Sequence, residues 1–226
     1  MSTNTGSLNR IFIGYDPREV RAYDVCKNSL KYTTLSVHKL FSEEIEEYSR
    51  DWGEVQSTDF TFTRFMVPYL SDYKGWSFFV DCDFLFLAAP GMLIENFDES
   101  KAVYCCKHPG YIPNSQIKMD GIAQHRAYRK NWASFTLFNN EHPKNSTLTP
   151  HYLNNYRPGI DFHQFRWLDD EDIGSLPLEW NCMDDYYHLE NPKAIHYTDG
   201  GPWFDNYQET MYSDIWNEEY KWLTEK

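Results

Sequence analysis

The 226-residue chain carries 34 acidic against 21 basic residues, a formal charge of −13, with 41% apolar and 24% charged residues. That length and balance suit one substantial hydrophobic core in a globular chain. The acidic excess argues against a nucleic-acid backbone or an anionic membrane as the main partner, and it is compatible with a divalent cation.

The amino-terminal MSTNTGSLNR is polar and has no apolar stretch of the signal-peptide kind, so residues 1–9 are expected to be unstructured. The first strand is expected at Arg10–Gly14 (RIFIG). It breaks at the turn cluster Gly14-Tyr15-Asp16-Pro17, where Asp16 can cap a helix running to about Lys31 with Pro17 at its first position. Leu35–Leu40 reads as a short strand and Glu43–Glu54 as an exposed acidic stretch. Phe60–Leu70 reads as a helix, with Pro68 near its end. Trp76–Val80 reads as a buried strand, Ala102–Cys106 as another, and Pro109–Arg129 as a polar loop or lid. Ala133–Phe138 and Ala194–Tyr197 read as further strands, and the tail from Tyr207 to Leu223 as an aromatic-rich helix. Strands alternating with helices predict an α/β fold: a single domain over 1–226, with a mostly parallel central sheet flanked by helices.

No apolar run reaches transmembrane length. The five cysteines, Cys26, Cys82, Cys105, Cys106 and Cys182, are odd in number, scattered, and contain no CxxC. Reduced thiols and a cytoplasmic location are therefore expected. Asn145-Ser146-Thr147 matches a glycosylation sequon but is expected to be a polar loop. Aromatics make up 18% of the chain, enough to serve as core or as platforms for sugars and bases.

The segment FFVDCDFLFL (78–87) places Asp81 and Asp83 inside an apolar run. Burying one unpaired carboxylate is costly, and two side by side also repel. Residues i and i+2 of a strand point the same way, so the two acids converge if the chain stays extended through Cys82. They follow the carboxyl end of a strand, where open α/β sheets bind ligands. A divalent cation, Mn²⁺ or Mg²⁺, shared with a phosphorylated ligand would relieve both costs. The alternative is that both acids accept backbone N–H bonds in a turn.

The order of GYD at 14–16, Arg64 ahead of the DxD strand, LPLEWN at 176–181 and HYTDGGPW at 196–203 resembles the GT-A nucleotide-sugar glycosyltransferases. It is most similar to glycosyltransferase family 8 and its small bacterial and viral relatives, over about residues 10–204. The resemblance implies a GT-A, Rossmann-like domain that moves a hexose from a UDP-sugar to an acceptor hydroxyl with retention of configuration. It implies Asp81, Asp83 and His196 as metal ligands. The donor would then meet Gly14, Tyr15 (base stacking), Asp16 (base or ribose), Arg64, Asp81, Cys82, Gly200, Gly201 and Trp203. Beside the anomeric carbon the candidates are Gln164, Asn139 and Asp161.

The chain departs from that pattern in three places. Gly201 stands where family 8 carries a lysine before Pro-Trp, Trp132-Ala133-Ser134 replaces Asn-Ala-Gly, and the family's Asp-Gln pair has only Asp161-Phe162-His163-Gln164 as its nearest counterpart. Two other readings compete. One is a haloacid-dehalogenase-type phosphatase with Asp81 as nucleophile and Asp83 as acid/base. It is opposed by Leu85 where that family expects Thr or Val, and by the long chain ahead of the DxD. The other is a non-catalytic sugar-binding module.

Overall fold

A computed structural model describes residues 8–51, 56–94, 97–109, 117–123, 128–156, 158–184, 186 and 188–225. Residues 1–7 of the expected unstructured start lie outside that set, whereas Leu8 already belongs to the first strand, β1 (Leu8–Gly14). Then come α1 (Val20–Ser29), β2 (Ser36–Leu40), α2 (Val67–Leu70), β3 (Trp76–Val80) and β4 (Phe84–Phe86). Next are β5 (Val103–Cys106), the hairpin of β6 (Ile117–Lys118) and β7 (Ile122–Ala123), and β8 (Phe135–Asn139). The chain continues through α3 (Pro150–Asn155), α4 (Ile160–His163), β9 (Ile173–Leu176), β10 (Cys182–Met183), β11 (Ala194–His196) and α5 (Ser213–Thr224).

The main sheet has the order β2-β1-β3-β8-β5-β9. Its pairings are parallel except at β8, which runs antiparallel to both β3 and β5. This is the expected α/β architecture with one reversed strand. All five residues of β3 (WSFFV) are buried. Phe78 stacks on Phe135 of β8 with ring centroids 5.2 Å apart. Full burial of a phenylalanine is worth about 1.5–3 kcal/mol, so β3 anchors the sheet whose carboxyl end carries the acids.

Two expected elements change shape. The helix expected over 60–70 is instead two 3-10 turns, Asp59–Thr61 and Thr63–Met66, followed by α2. Pro68 falls in the first turn of α2, where its missing N–H leaves no intrahelical bond unmade. The first helix stops at Ser29, not Lys31, because Leu30 and Lys31 turn back with bonds to the carbonyls of Lys27 and Asn28.

The acidic 43–54 stretch is only partly exposed, and residues 52–55 lie outside the described set. Arg50 is buried and donates to the carbonyls of Leu153 and Tyr156. Of the 109–129 loop, the β6–β7 hairpin is described, whereas 110–116 and 124–127 are not.

A second, smaller sheet, β10-β11-β4, stands beside the first. β4 and β11 pair antiparallel, with Phe84 opposite His196. An apolar cluster of Ala22, Val25, Leu85, Ile195, Tyr197, Trp203 and Trp216 packs α1 and α5 on this sheet. No helix among the described residues is long and apolar enough to cross a membrane.

Candidate metal and donor site

Asp81, Cys82 and Asp83 form the turn between β3 and β4, not a continued strand. The acids thus converge through a tight reversal. Cys82 is buried, and burial pushes its thiol well above the usual range. The Asp81 N–H donates to the Ser134 carbonyl at 2.9 Å, and the Asp83 carbonyl accepts from the Tyr197 N–H at 3.0 Å. The turn is therefore fixed to β8 on one side and to β11 on the other. The pairing of Phe84 with His196 brings the distant histidine to the acids. One ligand atom each of Asp81, Asp83 and His196 lies within 4.8 Å of the others.

The hydrogen bonding orients this cluster toward a cation. Asn181 is fully buried, and its amide donates to Ser134 Oγ at 2.9 Å. That turns Asn181 Oδ1 toward His196 Nδ1, 2.9 Å away. In the neutral ring His196 Nδ1 is then the donor and Nε2 carries the lone pair. Nε2 points at Asp83 Oδ2 across 3.4 Å, and Phe84 stacks on the ring at 4.4 Å. A lone pair facing a carboxylate at that distance is repulsive unless a proton or a metal cation lies between them.

The acids themselves are incompletely satisfied. The buried Oδ1 atoms of Asp81 and Asp83 have no hydrogen-bond partner among the described residues, which removes the turn-capping alternative for these atoms. Arg64 Nη1 lies 2.8 Å from Asp81 Oδ1 as an ion pair without hydrogen-bond alignment, and it donates to the Ala133 carbonyl at 3.0 Å. Burial pushes Asp81 up to about 6; Arg64 opposes this shift and Asp83 adds to it. Two carboxylates, one imidazole and the unpartnered buried Oδ1 of Asp83 thus fit a divalent cation.

Arg64 is buried in the Thr63–Met66 turn, not solvated on a helix, with its guanidinium 4.9 Å from the Phe79 ring centroid. The Ala133–Ser134 segment accepts from both Arg64 and Asp81 and so sets their spacing.

The donor loop after β1 is rigidly held. Asp16 is buried and caps the Pro17–Glu19 turn. Its carboxylate accepts from Arg18 Nε (3.0 Å), Arg18 Nη2 (2.8 Å) and the Asp59 N–H (2.9 Å). Burial raises Asp16, but the Arg18 and Asp59 bonds outweigh it and leave the group below the ordinary range. Asp16 therefore fixes the loop, and its oxygens are engaged within the protein. Tyr15 meets Tyr23 and Phe41 edge-on, with Lys39 Nζ 4.9 Å from its ring centroid. A Cβ on Gly14 would lie 2.4 Å from the Phe60 ring, so that glycine answers to core packing.

In the late loop, Gly200 takes φ 126, a conformation that favours glycine. A Cβ on Gly201 would lie 2.1 Å from the Trp203 ring. Trp203 makes its polar contacts within the protein. It is buried, its indole N–H donates to Glu19 Oε2 at 3.2 Å, and its carbonyl accepts from Arg21 Nη2 at 2.6 Å. It thereby ties the late loop to the start of α1.

The structure separates one of the three candidates for the anomeric side, Asn139, from the metal cluster. Asn139 pairs with Trp76, at the opposite end of β3 from Asp81, and its amide donates to the carbonyls of Glu99 and Lys101. With β3 rising about 3.3 Å per residue, that assignment is withdrawn. Asp161 accepts from the Tyr156 hydroxyl at 2.9 Å, and Gln164 Oε1 from Arg166 Nε at 3.1 Å. Both belong to the α4 region, which packs on the turn bearing Arg64 through the rings of Phe62, Phe65, Phe162 and His163.

Sequence reasoning missed Asn181 and Glu19. Asn181 ends the LPLEWN segment and also hydrogen-bonds His108, which burial pushes down to about 3. Glu19 reads as an exposed first-turn acid yet is buried. Burial raises it well above the usual carboxylate range, reinforced by the charges of Asp83 and Asp16. A cavity of about 540 Å³, lined by Pro177, Trp180 and Lys193 among others, contains none of the residues of the acid cluster.

The fold is that of the GT-A nucleotide-sugar glycosyltransferases. WbbM, a bifunctional glycosyltransferase, superposes with a TM-score of 0.66 at 15% identity, over 97% of this chain and 50% of its own. GlyE of Streptococcus pneumoniae TIGR4 gives 0.60 at 14%, over 97% and 64%. The galactosyltransferase LgtC, in complex with donor and acceptor sugar analogues, gives 0.57 at 12%, over 95% and 96%. The chain thus spans about half of WbbM and under two thirds of GlyE, but nearly all of LgtC. No protein-family model matches it.

Within this fold the chain belongs to the family of Protein CDI of Arabidopsis thaliana. The two are 43% identical over 219 residues, covering 92% of this chain and 84% of that protein.

Proposed function

We propose that the chain is a metal-dependent glycosyltransferase that moves a hexose from a UDP-sugar to an acceptor hydroxyl. The observation that carries this is the convergence of Asp81, Asp83 and His196, each offering one ligand atom within 4.8 Å of the others, at the carboxyl end of β3 in a GT-A fold. Asp81, Asp83 and His196 would hold the ion, and this mixed donor set suits Mn²⁺ better than an all-oxygen Mg²⁺ site. When bound, the ion supplies neutralisation of the departing diphosphate.

The protein's own groups do the remaining work. Asn181 holds His196 in the tautomer that offers Nε2. Arg64 keeps Asp81 oriented, and the Asp16–Arg18 pair fixes the loop that presents Tyr15 to the base. Gln164 and Asp161, on the element packed against the Arg64 turn, are the candidates beside the sugar. Retention of configuration follows the family resemblance. The five cysteines are buried thiols, which supports a reducing, cytoplasmic setting.

The phosphatase reading loses its support here, since its nucleophile would be the carboxylate paired with Arg64 in a GT-A sheet. A screen of UDP-sugars for UDP release, with Mn²⁺ and with chelator, tests the proposal. Release from one donor only with metal is expected. Hydrolysis of p-nitrophenyl phosphate without UDP release would overturn it.

A further inference from the structure

Residues 129–134 lead into β8 at the end of β3 that carries the acids, since Val80 pairs with Phe135. This segment is braced on three sides. The Ser134 carbonyl accepts from the Asp81 N–H at 2.9 Å, and the Ala133 carbonyl from Arg64 Nη1 at 3.0 Å. Asn131 Nδ2 donates to Thr198 Oγ1 at 3.0 Å, in the late loop. Arg129 Nη1 donates to the Gln164 carbonyl at 2.8 Å. Arg129 (φ 55) and Asn131 (φ 62) are both left-handed, and an arginine persists in that conformation only where its surroundings hold it.

Trp132 stands in the middle of this segment. Consecutive Cα atoms are about 3.8 Å apart, so its Cα lies within about 8 Å of that of Ser134, the residue bonded to Asp81. The indole is placed by two cations: the Arg129 guanidinium lies 5.0 Å from its ring and Lys107 Nζ 5.7 Å. Lys107 follows the carboxyl end of β5, which runs in the same direction as β3 because both are antiparallel to β8. The ring therefore lies at the sheet end that carries the acids. It touches the arginine that holds Gln164 and belongs to the segment that holds Asp81.

Trp132 is half-buried, but its Nε1 is buried with no hydrogen-bond partner among the described residues. The Arg129 side chain is only 5% exposed. Its terminal nitrogens are engaged by Gln164 and Asp170, whereas its Nε also has no partner among the described residues. An unmatched buried donor is costly, and two in one cluster are accounted for by a ligand that brings acceptor oxygens.

We propose that Trp132 and Arg129 form the hexose subsite of the donor, giving the indole N–H and the Arg129 Nε–H to hydroxyl oxygens of the transferred sugar. The proposal rests on the donor reading above. Tryptophan suits the task as a rigid apolar body with one donor on its edge. A site built to bond a hydroxyl rejects a sugar that lacks it in that position, because the buried donor is then left unpaired.

The test compares wild type with Trp132→Phe, which keeps an aromatic ring and removes the N–H. Thermal unfolding confirms a folded protein, and Trp132→Met replaces a Phe variant that unfolds early. UDP, UDP-glucose and UDP-galactose are each titrated by calorimetry in the presence of Mn²⁺. The variant is expected to bind the preferred UDP-hexose about three- to tenfold more weakly, with UDP unchanged. The preference between the two hexoses should narrow in the same measure. A structural role would instead weaken UDP and both UDP-hexoses in parallel, and that result overturns the assignment. UDP-hexose affinity within twofold of wild type also overturns it, whether or not turnover falls, since the ring would then serve the acceptor or the core. Wild type that binds UDP but neither UDP-hexose overturns this subsite alone. Wild type that fails to bind UDP overturns the donor reading and this subsite with it.

Discussion

Replacing Asn181 by alanine isolates the residue that orients His196, the proposed metal ligand. Asn181 is fully buried and accepts from His196 Nδ1 at 2.9 Å while its amide donates to Ser134 Oγ. Removing the side chain leaves the buried Nδ1–H without its acceptor, a loss of about 1–3 kcal/mol. The ring can then adopt the other tautomer, in which Nε2–H donates to Asp83 Oδ2, 3.4 Å away. That contact stabilises the metal-free state and withdraws the lone pair from the ion. Loss of such a supporting bond typically weakens metal binding 10–100-fold, about 1.4–2.7 kcal/mol. Calorimetric titration of Mn²⁺ into the variant measures it, with thermal unfolding confirming a folded protein. Asn181→Asp keeps an acceptor at Nδ1 and should retain metal affinity. A folded Asn181→Ala with wild-type Mn²⁺ affinity would refute the argument that Asn181 sets the tautomer.

Three further outcomes follow from the same geometry. Asp83→Ala should lose Mn²⁺ binding and transfer while its metal-free thermal midpoint does not fall, since one of two crowded acids is gone; turnover near wild type would remove Asp83 from the metal site. Because Asp81 is pushed up to about 6, protons compete with the metal below that pH. Mn²⁺ affinity should therefore drop about tenfold per pH unit there and level off above it, and a flat profile from pH 5 to 7 would count against Asp81 as a ligand. Glu19, raised by burial and by Asp83 and Asp16, holds its proton more tightly folded than unfolded. Its contribution to stability is therefore greatest in acid and declines as pH rises. Glu19→Gln should remove that decline and be the more stable protein at pH 8, and parallel stability curves would contradict the assignment.

Some of this was legible in the chain. RIFIG and WSFFV announced strands by apolar continuity, and the placement of Asp81 and Asp83 after WSFFV pointed to a site because unpaired buried acids need a reason. The reversal at Cys82 was not legible, since an apolar run reads alike whether it continues or folds back as β4. The antiparallel direction of β8 is set by its neighbours and leaves no mark on FTLFN. Asn139 was a candidate beside the anomeric carbon, and only its register with Trp76 shows that it lies at the opposite end of β3 from Asp81. Glu19 sits in a first turn where acids are ordinarily exposed, and its burial comes from Trp203, far along the chain. Asn181 lay in a segment already singled out, but its role depends on an amide orientation fixed by Ser134.

The most direct test of the central claim is calorimetric titration of UDP into the protein with Mn²⁺ and again with chelator. The account predicts that UDP binds at least about tenfold more tightly with Mn²⁺, the nucleotide and the ion completing one another's coordination. Equal UDP affinity in both titrations, or no UDP binding in either, would contradict it.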